Sequence, residues 1–403
     1  MPRVSVTGMG CTSALGIGVE PFWAAVKAGH SGVRPTQLPH WHNHQVKISA
    51  QVDREKLAAR INDTGHADSD PFVQFAILAA AEAVGQAGLT RNDLAGPRTA
   101  VIVGTGVGGI GKLDDGCYAF YAEKRNRIDP LTVPRVMANA AASHISMAYG
   151  TTGPTFAVSS ACSSASQAIG IGLQLIRAGA VDRAIVGGSE ACISPACTRA
   201  WEFLRVLTPD ACRPFSRGRN GMVLGEGAGI VVLEIAEAAR ARGARALADL
   251  LGYGTSSDAG DLLRPDPKGA AAAMRLALAD AALKPEDIDY INAHGTGTVL
   301  NDATETEAVR QTFGSSADRL CITSTKPVHG HALGAAGGLE LIAAIMAVRD
   351  GFVPPTINFA ERDPACDLDV VPNVGRARGI EMAMSNSFAF GGINAALIVG
   401  RAD

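Results

Sequence analysis

Short runs of apolar and β-branched residues alternate along the chain with longer Ala-rich stretches whose apolar positions recur at helical spacing. The runs predict strands over Arg3–Thr7, Thr99–Val103, Thr155–Val158, Arg183–Gly187, Gly229–Leu233, Ala246–Gly252, Tyr290–Ala293, Cys321–Thr323, Glu381–Ser385 and Ala395–Val399. The stretches predict helices over Val19–Ala28, Asp70–Ala87, Ala165–Ala178, Ile235–Arg242, Gly269–Ala282, Asn301–Phe313 and Gly337–Asp350. This alternation is the pattern of an α/β fold. The segment from Val136 to Ile176 carries no Asp, Glu, Lys or Arg. Asn139, His144, Gly150, Gly153 and Pro154 interrupt it, so it reads as protein interior and not as a membrane span.

Two segments share one plan. Phe156–Ala180 runs strand, small-residue turn, Ala/Gly-rich helix and then Arg-Ala-Gly. Cys321–Gly351 repeats this and ends Arg349-Asp350-Gly351. The first turn holds Cys162; the second holds Lys326, His329 and His331. The repetition predicts two similar halves that each bring a turn to a shared site.

Composition narrows the class. The 403 residues are 47% hydrophobic and 19% charged, which excludes a disordered or fibrous chain. At this length about 75% of the unfolded surface can be buried, so no disulfide is needed for folding. Lys plus Arg is 36 against 39 for Asp plus Glu, a net charge of −3 with no electrostatic footprint for nucleic acid. The eight cysteines are scattered with no CxxC pair. Free thiols in a reducing compartment are therefore expected, and with no signal-peptide pattern at the start the expected location is the cytoplasm.

Cys162 lies in Val158-Ser159-Ser160-Ala161-Cys162-Ser163-Ser164-Ala165, between a strand and a helix. A thiol at a helix N-terminus is expected to ionise more readily, and its small neighbours leave room for a substrate. An inert packing cysteine is the competing reading. His294 follows a strand in Asn292-Ala293-His294-Gly295-Thr296-Gly297-Thr298. His331 closes Ser324-Thr325-Lys326-Pro327-Val328-His329-Gly330-His331 before a Gly/Ala-rich helix. A cysteine, two separately placed histidines and a lysine form a plausible nucleophile and acid–base set. Near the end, Ser387-Phe388-Ala389-Phe390-Gly391-Gly392 offers backbone N–H groups that suit an oxyanion.

Taken together these residues resemble the β-ketoacyl-acyl-carrier-protein synthases, condensing enzymes of the thiolase fold. The resemblance runs from Val4-Ser5-Val6-Thr7-Gly8-Met9-Gly10 to Phe390-Gly391-Gly392 and includes Arg213-Pro214-Phe215 and Gly225-Glu226-Gly227-Ala228-Gly229. It implies two similar βαβαβ-type halves in a five-layered α-β-α-β-α core. The half with the nucleophile is expected over residues 1–250 and the half with the histidines and lysine over 251–403. It implies an acyltransferase, a 3-oxoacyl-[acyl-carrier-protein] synthase. Such an enzyme joins an acyl chain held on Cys162 to malonyl-acyl carrier protein with loss of carbon dioxide. By the same resemblance, the backbone N–H groups of Cys162 and Phe390 form the oxyanion hole. His294 and His331 promote decarboxylation, with Lys326 beside them and Glu340 ordering the lysine loop. Thr296 and Thr298 hold the pantetheine arm, Phe388 and Phe390 gate the pocket, and Val107 lines it. No cofactor and no metal are implied. The partners implied are acyl carrier protein, malonyl and acyl thioesters, and a second subunit, identical or of the chain-length-factor kind; no nucleic acid and no membrane are expected.

Departures from the usual family pattern point to a branch. Gly-Phe-Gly-Gly-Thr-Asn is here Ala389-Phe390-Gly391-Gly392-Ile393-Asn394, Arg-Asp-Gly is Arg219-Asn220-Gly221, and His329 stands where Thr is usual. These resemble the branch around nodulation protein E and the synthases of highly reduced, polyene-type polyketides. A specialised pathway is therefore expected over housekeeping fatty-acid elongation. The segment Asn62–Asp70, basic in housekeeping relatives, is acidic here. Lys124, Arg125 and Arg127, with Arg205, remain as the expected docking group for an acidic carrier.

Three rival readings carry less. Val103–Gly109 contains GxGxxG after a strand, but the acid that should end a second strand is missing. His40-Trp41-His42-Asn43-His44 alternates histidines, which suits a metal site or a solvated loop. A catalytically inert chain-length subunit would lack the cysteine that Cys162 supplies.

Overall fold

The computed structural model describes residues 1–39 and 43–402. Ten strands carry the fold: β1 (Val4–Ser13), β2 (Thr99–Gly104), β3 (Thr155–Val158), β4 (Arg183–Glu190), β5 (Gly227–Ile235), β6 (Ala248–Ser257), β7 (Tyr290–Asn292), β8 (Cys321–Thr323), β9 (Met382–Ala389) and β10 (Ile393–Gly400). They lie in one sheet in the order β8-β7-β9-β10-β6-β1-β5-β4-β2-β3, with a two-residue strand, Gly16–Ile17, paired to β1. Each half therefore has the same spatial order. Counting strands within a half, the third pairs with the second, then come the fourth, fifth and first. In both halves the third, second and fourth strands are parallel, and the fifth and first run antiparallel. The halves meet where β1 pairs with β6 through Ser5↔Asp249 and Val6↔Ala248. The boundary expected at 250/251 thus falls inside β6, the strand that opens the second half.

The helices used below are α1 (Pro71–Gln86), α2 (Ile110–Tyr121), α3 (Ala140–Tyr149), α4 (Ser164–Arg177), α5 (Pro195–Phe203), α6 (Pro267–Ala281), α7 (Val299–Phe313) and α8 (Ala336–Asp350). α1 packs on β1, β4 and β5, and α6 packs on β6 and β10. Between these outer layers, α4 and α8 touch each other and strands of both halves. The five layers are α, β, α, β, α. α8 is buried from Ala336 to Val348, so it reads as continuously apolar and not as a striped helix. Glycine is required where it meets β5: a Cβ on Gly338 would stand 2.4 Å from the Gly229 carbonyl oxygen.

The matched turns sit at matched places. Each parallel third strand leads through a 3₁₀ turn, Ala161–Ser163 or Leu333–Ala335, into α4 or α8. The first residue of each turn is left-handed, with φ 49° at Ala161 and 41° at Leu333. L-residues rarely adopt that conformation, and it is held only where the surroundings fix it.

The structure corrects one reading of the charge-free segment. α4 is interior, but β3 is the free end of the sheet and Phe156, Met137 and Met147 are exposed. No helix among the described residues is long and apolar enough to cross a membrane. All eight cysteines are free.

Candidate active site

The two strained turns face each other. Cys162, at the head of α4, is buried, and its Sγ lies 3.2 Å from Nε2 of His331. The His294 ring is 5.3 Å from the His331 ring, nearly perpendicular to it. The backbone N–H of Phe390 points at the Cys162 sulfur.

Each histidine loop is held by buried groups. The N–H groups of His294 and Gly295 donate to Glu305 of α7 at 2.9 and 2.8 Å. The His331 N–H donates to Val223 O at 2.8 Å, and its carbonyl accepts from Gly225 N–H at 2.9 Å. Lys326 Nζ sits 3.4 Å from His294 Nδ1, donates to the His294 carbonyl and pairs with Glu340 of α8.

Burial decides the charges here. It lowers both His294 and His331 well below the ordinary histidine range, and Lys326 adds to the effect. Both rings are neutral, and neutral imidazoles can donate N–H to a developing oxyanion. Burial pushes the Cys162 thiol up to about 12, against the opposing pull of Lys326. Burial thus opposes the easier ionisation expected of a thiol at a helix N-terminus, and a base in contact favours loss of the proton. His331 Nε2 is the ring nitrogen in contact. Cys162, His294 and His331 bring their donor atoms within 4.8 Å of one another, a spacing that also suits a metal ion. The Lys326 ammonium at 3.4 Å from His294 opposes a second positive charge there.

A cavity of about 250 Å³ leads from the sulfur and both histidines to the surface. Thr296 and Thr298 line it with hydroxyls 2.9 Å apart. Their loop is fixed from below: Arg219, itself buried, donates to the carbonyls of Thr298 and Val299 at 3.1 and 2.9 Å. Phe388 and Phe390 line the inner wall, Phe390 stacked on Trp201 of α5 at 6.0 Å. Arg205 is at the mouth.

Some expected residues lie elsewhere. Val107 follows β2, is 41% exposed and does not line this cavity. Lys124, Arg125 and Arg127 follow α2 away from the mouth, and Arg125 pairs with Glu123 at 2.6 Å. His329 is buried against Phe22, with Nε2 2.9 Å from the Thr325 hydroxyl, and takes no place in the cavity. The loop of the GxGxxG match already has its N–H groups occupied, because Gly106 and Val107 donate to Glu190. A pyrophosphate would meet that carboxylate. Of the histidine alternation, His40, Trp41 and His42 lie outside the described residues.

Sequence reasoning passed over Glu190, Glu305, Arg219 and Trp201. Glu190 carried a signal, an acid at a strand end in an otherwise uncharged stretch; Glu305 stands between Asp302 and Glu307 inside α7 and carried none. Trp201 carried none.

The chain was compared with known proteins. Its residues 1–239 match the Beta-ketoacyl synthase, N-terminal domain, and residues 247–360 match the Beta-ketoacyl synthase, C-terminal domain. It is 44% identical to Nodulation protein E of Rhizobium sp. (strain N33), over 98% of each chain. It is 39% identical to 3-oxoacyl-[acyl-carrier-protein] synthase 2 of Coxiella burnetii, over 99% of this chain and 98% of that one. Among solved structures it is similar to the ishigamide ketosynthase/chain length factor, at 38% identity, TM-score 0.95 and full coverage of both chains.

Proposed function

The chain belongs to the β-ketoacyl synthase family, and from that premise we propose how its cavity carries out a decarboxylative condensation. The observation that carries the reading is the Cys162 sulfur in contact with His331, with His294 beside it and the Phe390 N–H aimed at it. Cys162 attacks the acyl thioester as its proton passes to His331, and the carrier thiol leaves. The backbone N–H groups of Cys162 and Phe390 receive the oxyanion, each worth roughly 3–4 kcal/mol by analogy with other oxyanion holes. Malonyl thioester enters next, past Thr296 and Thr298. It loses carbon dioxide, and the enolate oxygen is met by the neutral rings of His294 and His331. The enolate carbon attacks the acyl-cysteine carbonyl, the C–S bond breaks, the expelled Cys162 thiolate takes up a proton from solvent by way of His331, and 3-oxoacyl thioester leaves. Lys326 holds His294 in place, and Glu340 balances its charge.

The reaction uses acyl carrier protein as partner, with docking proposed at Arg205 and at Lys124, Arg125 and Arg127. Arg205→Glu is expected to slow carrier-dependent turnover more than Arg125→Glu; equal rates for both variants and the wild type would remove the docking claim. A second subunit, identical or of the chain-length-factor kind, is proposed along the free edge of β3. The exposed Phe156, Met137 and Met147 at that edge support the placement. The first half is proposed to run up to β6 and the second from β6 on, and the location is proposed as cytoplasmic.

The motif departures, with the likeness to Nodulation protein E, support a specialised pathway taking highly unsaturated primers. Intact-mass spectrometry with saturated and polyunsaturated acyl-carrier primers tests this, with Cys162→Ala as control. The expected result is an adduct on Cys162 that forms faster with polyunsaturated primers. Equal turnover of long saturated chains assigns the housekeeping role, and no adduct with any primer rejects the condensing reading.

A further inference from the structure

Glu190, the last residue of β4, is fully buried and, among the described residues, has no cation hydrogen-bonded to it. Four donors meet its carboxylate instead. One oxygen takes the Thr105 hydroxyl at 3.0 Å and the Val107 N–H at 3.3 Å. The other takes the Gly106 N–H at 2.6 Å and the Gly334 N–H at 3.0 Å. Thr105–Val107 belong to the loop after β2; Gly334 belongs to the other half, three residues beyond His331. Both backbones reach one oxygen because both are glycine there. A Cβ on Gly334 would stand 2.3 Å from Gly106 N, and one on Gly106 would stand 2.8 Å from the Glu190 carboxylate.

This bridge matters because of what else holds His331. Its Nδ1 has no protein partner among the described residues. A catalytic imidazole is ordinarily aimed by an acceptor at its second nitrogen. Here the ring is aimed by its backbone alone: one end of the loop is fixed at Val223 and Gly225, the other at Gly334. Between them stands Leu333 in its left-handed conformation. A strained residue of this kind persists only if its neighbours are pinned.

We propose that Glu190 is a positioning residue that ties the loop after β2 to the turn following His331 and so holds the His331 ring at the Cys162 sulfur. The inference rests on the condensing reading and deepens it. Glu190 touches neither substrate nor sulfur and acts through Gly334. It also ties the position of Val107, beside the proposed subunit face, to the position of His331.

Glu190→Gln is nearly isosteric, but its NH2 must face one of the two donor pairs, leaving those donors without an acceptor. Three quantities are measured on the full-length protein: melting temperature, acyl-adduct formation at Cys162 with a primer the wild type accepts, and the KM and kcat of malonyl-carrier decarboxylation. The expected result is an acyl adduct that forms about tenfold or more slowly yet still reaches completion, with the kcat of decarboxylation also lowered and KM within twofold. Glu190→Asp keeps the charge but cannot span both loops, and is expected to show the same split. If Glu190→Gln does not fold, Thr105→Val decides, since it removes one donor to Glu190 and otherwise only the acceptor of the Gly108 N–H; adduct formation about threefold slower at unchanged final yield supports the role. An unchanged rate of adduct formation in the variants overturns it. So does a lowered final yield of adduct with a fallen melting temperature, which marks a merely structural residue. A wild type that neither acylates nor decarboxylates instead overturns the condensing reading itself.

Discussion

A thiol raised to about 12 by burial reacts slowly until a base touches it, and the contact at 3.2 Å names that base as His331. His294, with its Nδ1 facing Lys326, is better placed to donate to an enolate than to take a proton from sulfur. The two imidazoles should therefore separate on mutation. His331→Ala is expected to slow iodoacetamide alkylation of Cys162 by about a hundredfold. His294→Ala should leave alkylation within a few-fold and cut malonyl decarboxylation by about a hundredfold. Equal effects on both rates would merge the two roles. Lys326 is a different case, because its ammonium is buried against Glu340. Lys326→Met leaves that carboxylate unpaired, and breaking a buried pair costs about 3–5 kcal/mol. Burial already lifts Glu340 to about 7 against the pull of Lys326, so without the ammonium it takes a proton more readily still and the loss should shrink as pH falls. Thermal melts at pH 6 and pH 8 check this, and Lys326→Met with Glu340→Gln should recover part of the loss at pH 8.

Elements with a strong pattern were legible in the sequence, and their ends were not. β3 and β8 match their expected bounds. β1 and β9 extend past their apolar runs, because ladder pairing continues through Gly10-Cys11-Thr12-Ser13 and Ser387-Phe388-Ala389. α2 has Ile110, Leu113, Cys117 and Phe120 at helical spacing, but Lys112, Asp114 and Asp115 interleave them and none of its residues is buried in this chain. α3 lies in the charge-free segment, where no polar face sets a period. Cys162 and His331 were legible because reactive residues stood at strand-to-helix turns. Trp201 acts through a contact with chain far away in sequence, which nothing local records, and Glu190 shows locally only as a lone acid at a strand end, without its partners. Spacing between elements is checkable at the α8–β5 crossing. Gly338→Ala drives a Cβ to 2.4 Å from a backbone oxygen, and neither strand nor helix has room to retreat. Overpacking of this kind costs about 1–3 kcal/mol, read by denaturant midpoint. Gly85→Ala, in α1 with open space around it, should instead gain about 0.5–1 kcal/mol. A Gly338→Ala midpoint equal to wild type would show that the crossing can open.

At the scale of the whole molecule, the shared site is made by two halves that each bury ionisable groups, and pH should expose the balance. Burial pushes Glu190, Glu305 and Glu340 each up to about 7 from 4.5. A carboxyl raised in the fold binds its proton more tightly there. Its contribution to stability is present below 4.5 and lost as pH climbs through about 7. Burial works the other way on histidine: His329 falls to about 3, and His294 and His331 fall well below 6.5. A histidine held neutral in the fold contributes above 6.5 and loses that contribution as pH drops. The two sets overlap between 4.5 and 6.5 and largely offset each other. From pH 8 down to about 6.5 only the carboxyls are regaining protons, so the melting temperature is expected to rise. Below about 4.5 the histidine loss continues, joined by carboxylates such as Asp210 and Asp363 that arginine partners hold below their usual range, and the melting temperature should fall. Removing one carboxyl by Glu305→Gln should flatten the rise, since that side chain no longer titrates. A melting temperature that drops steadily from pH 8 to pH 6 would mean that these carboxylates stay charged in the fold, paired more completely than their burial implies.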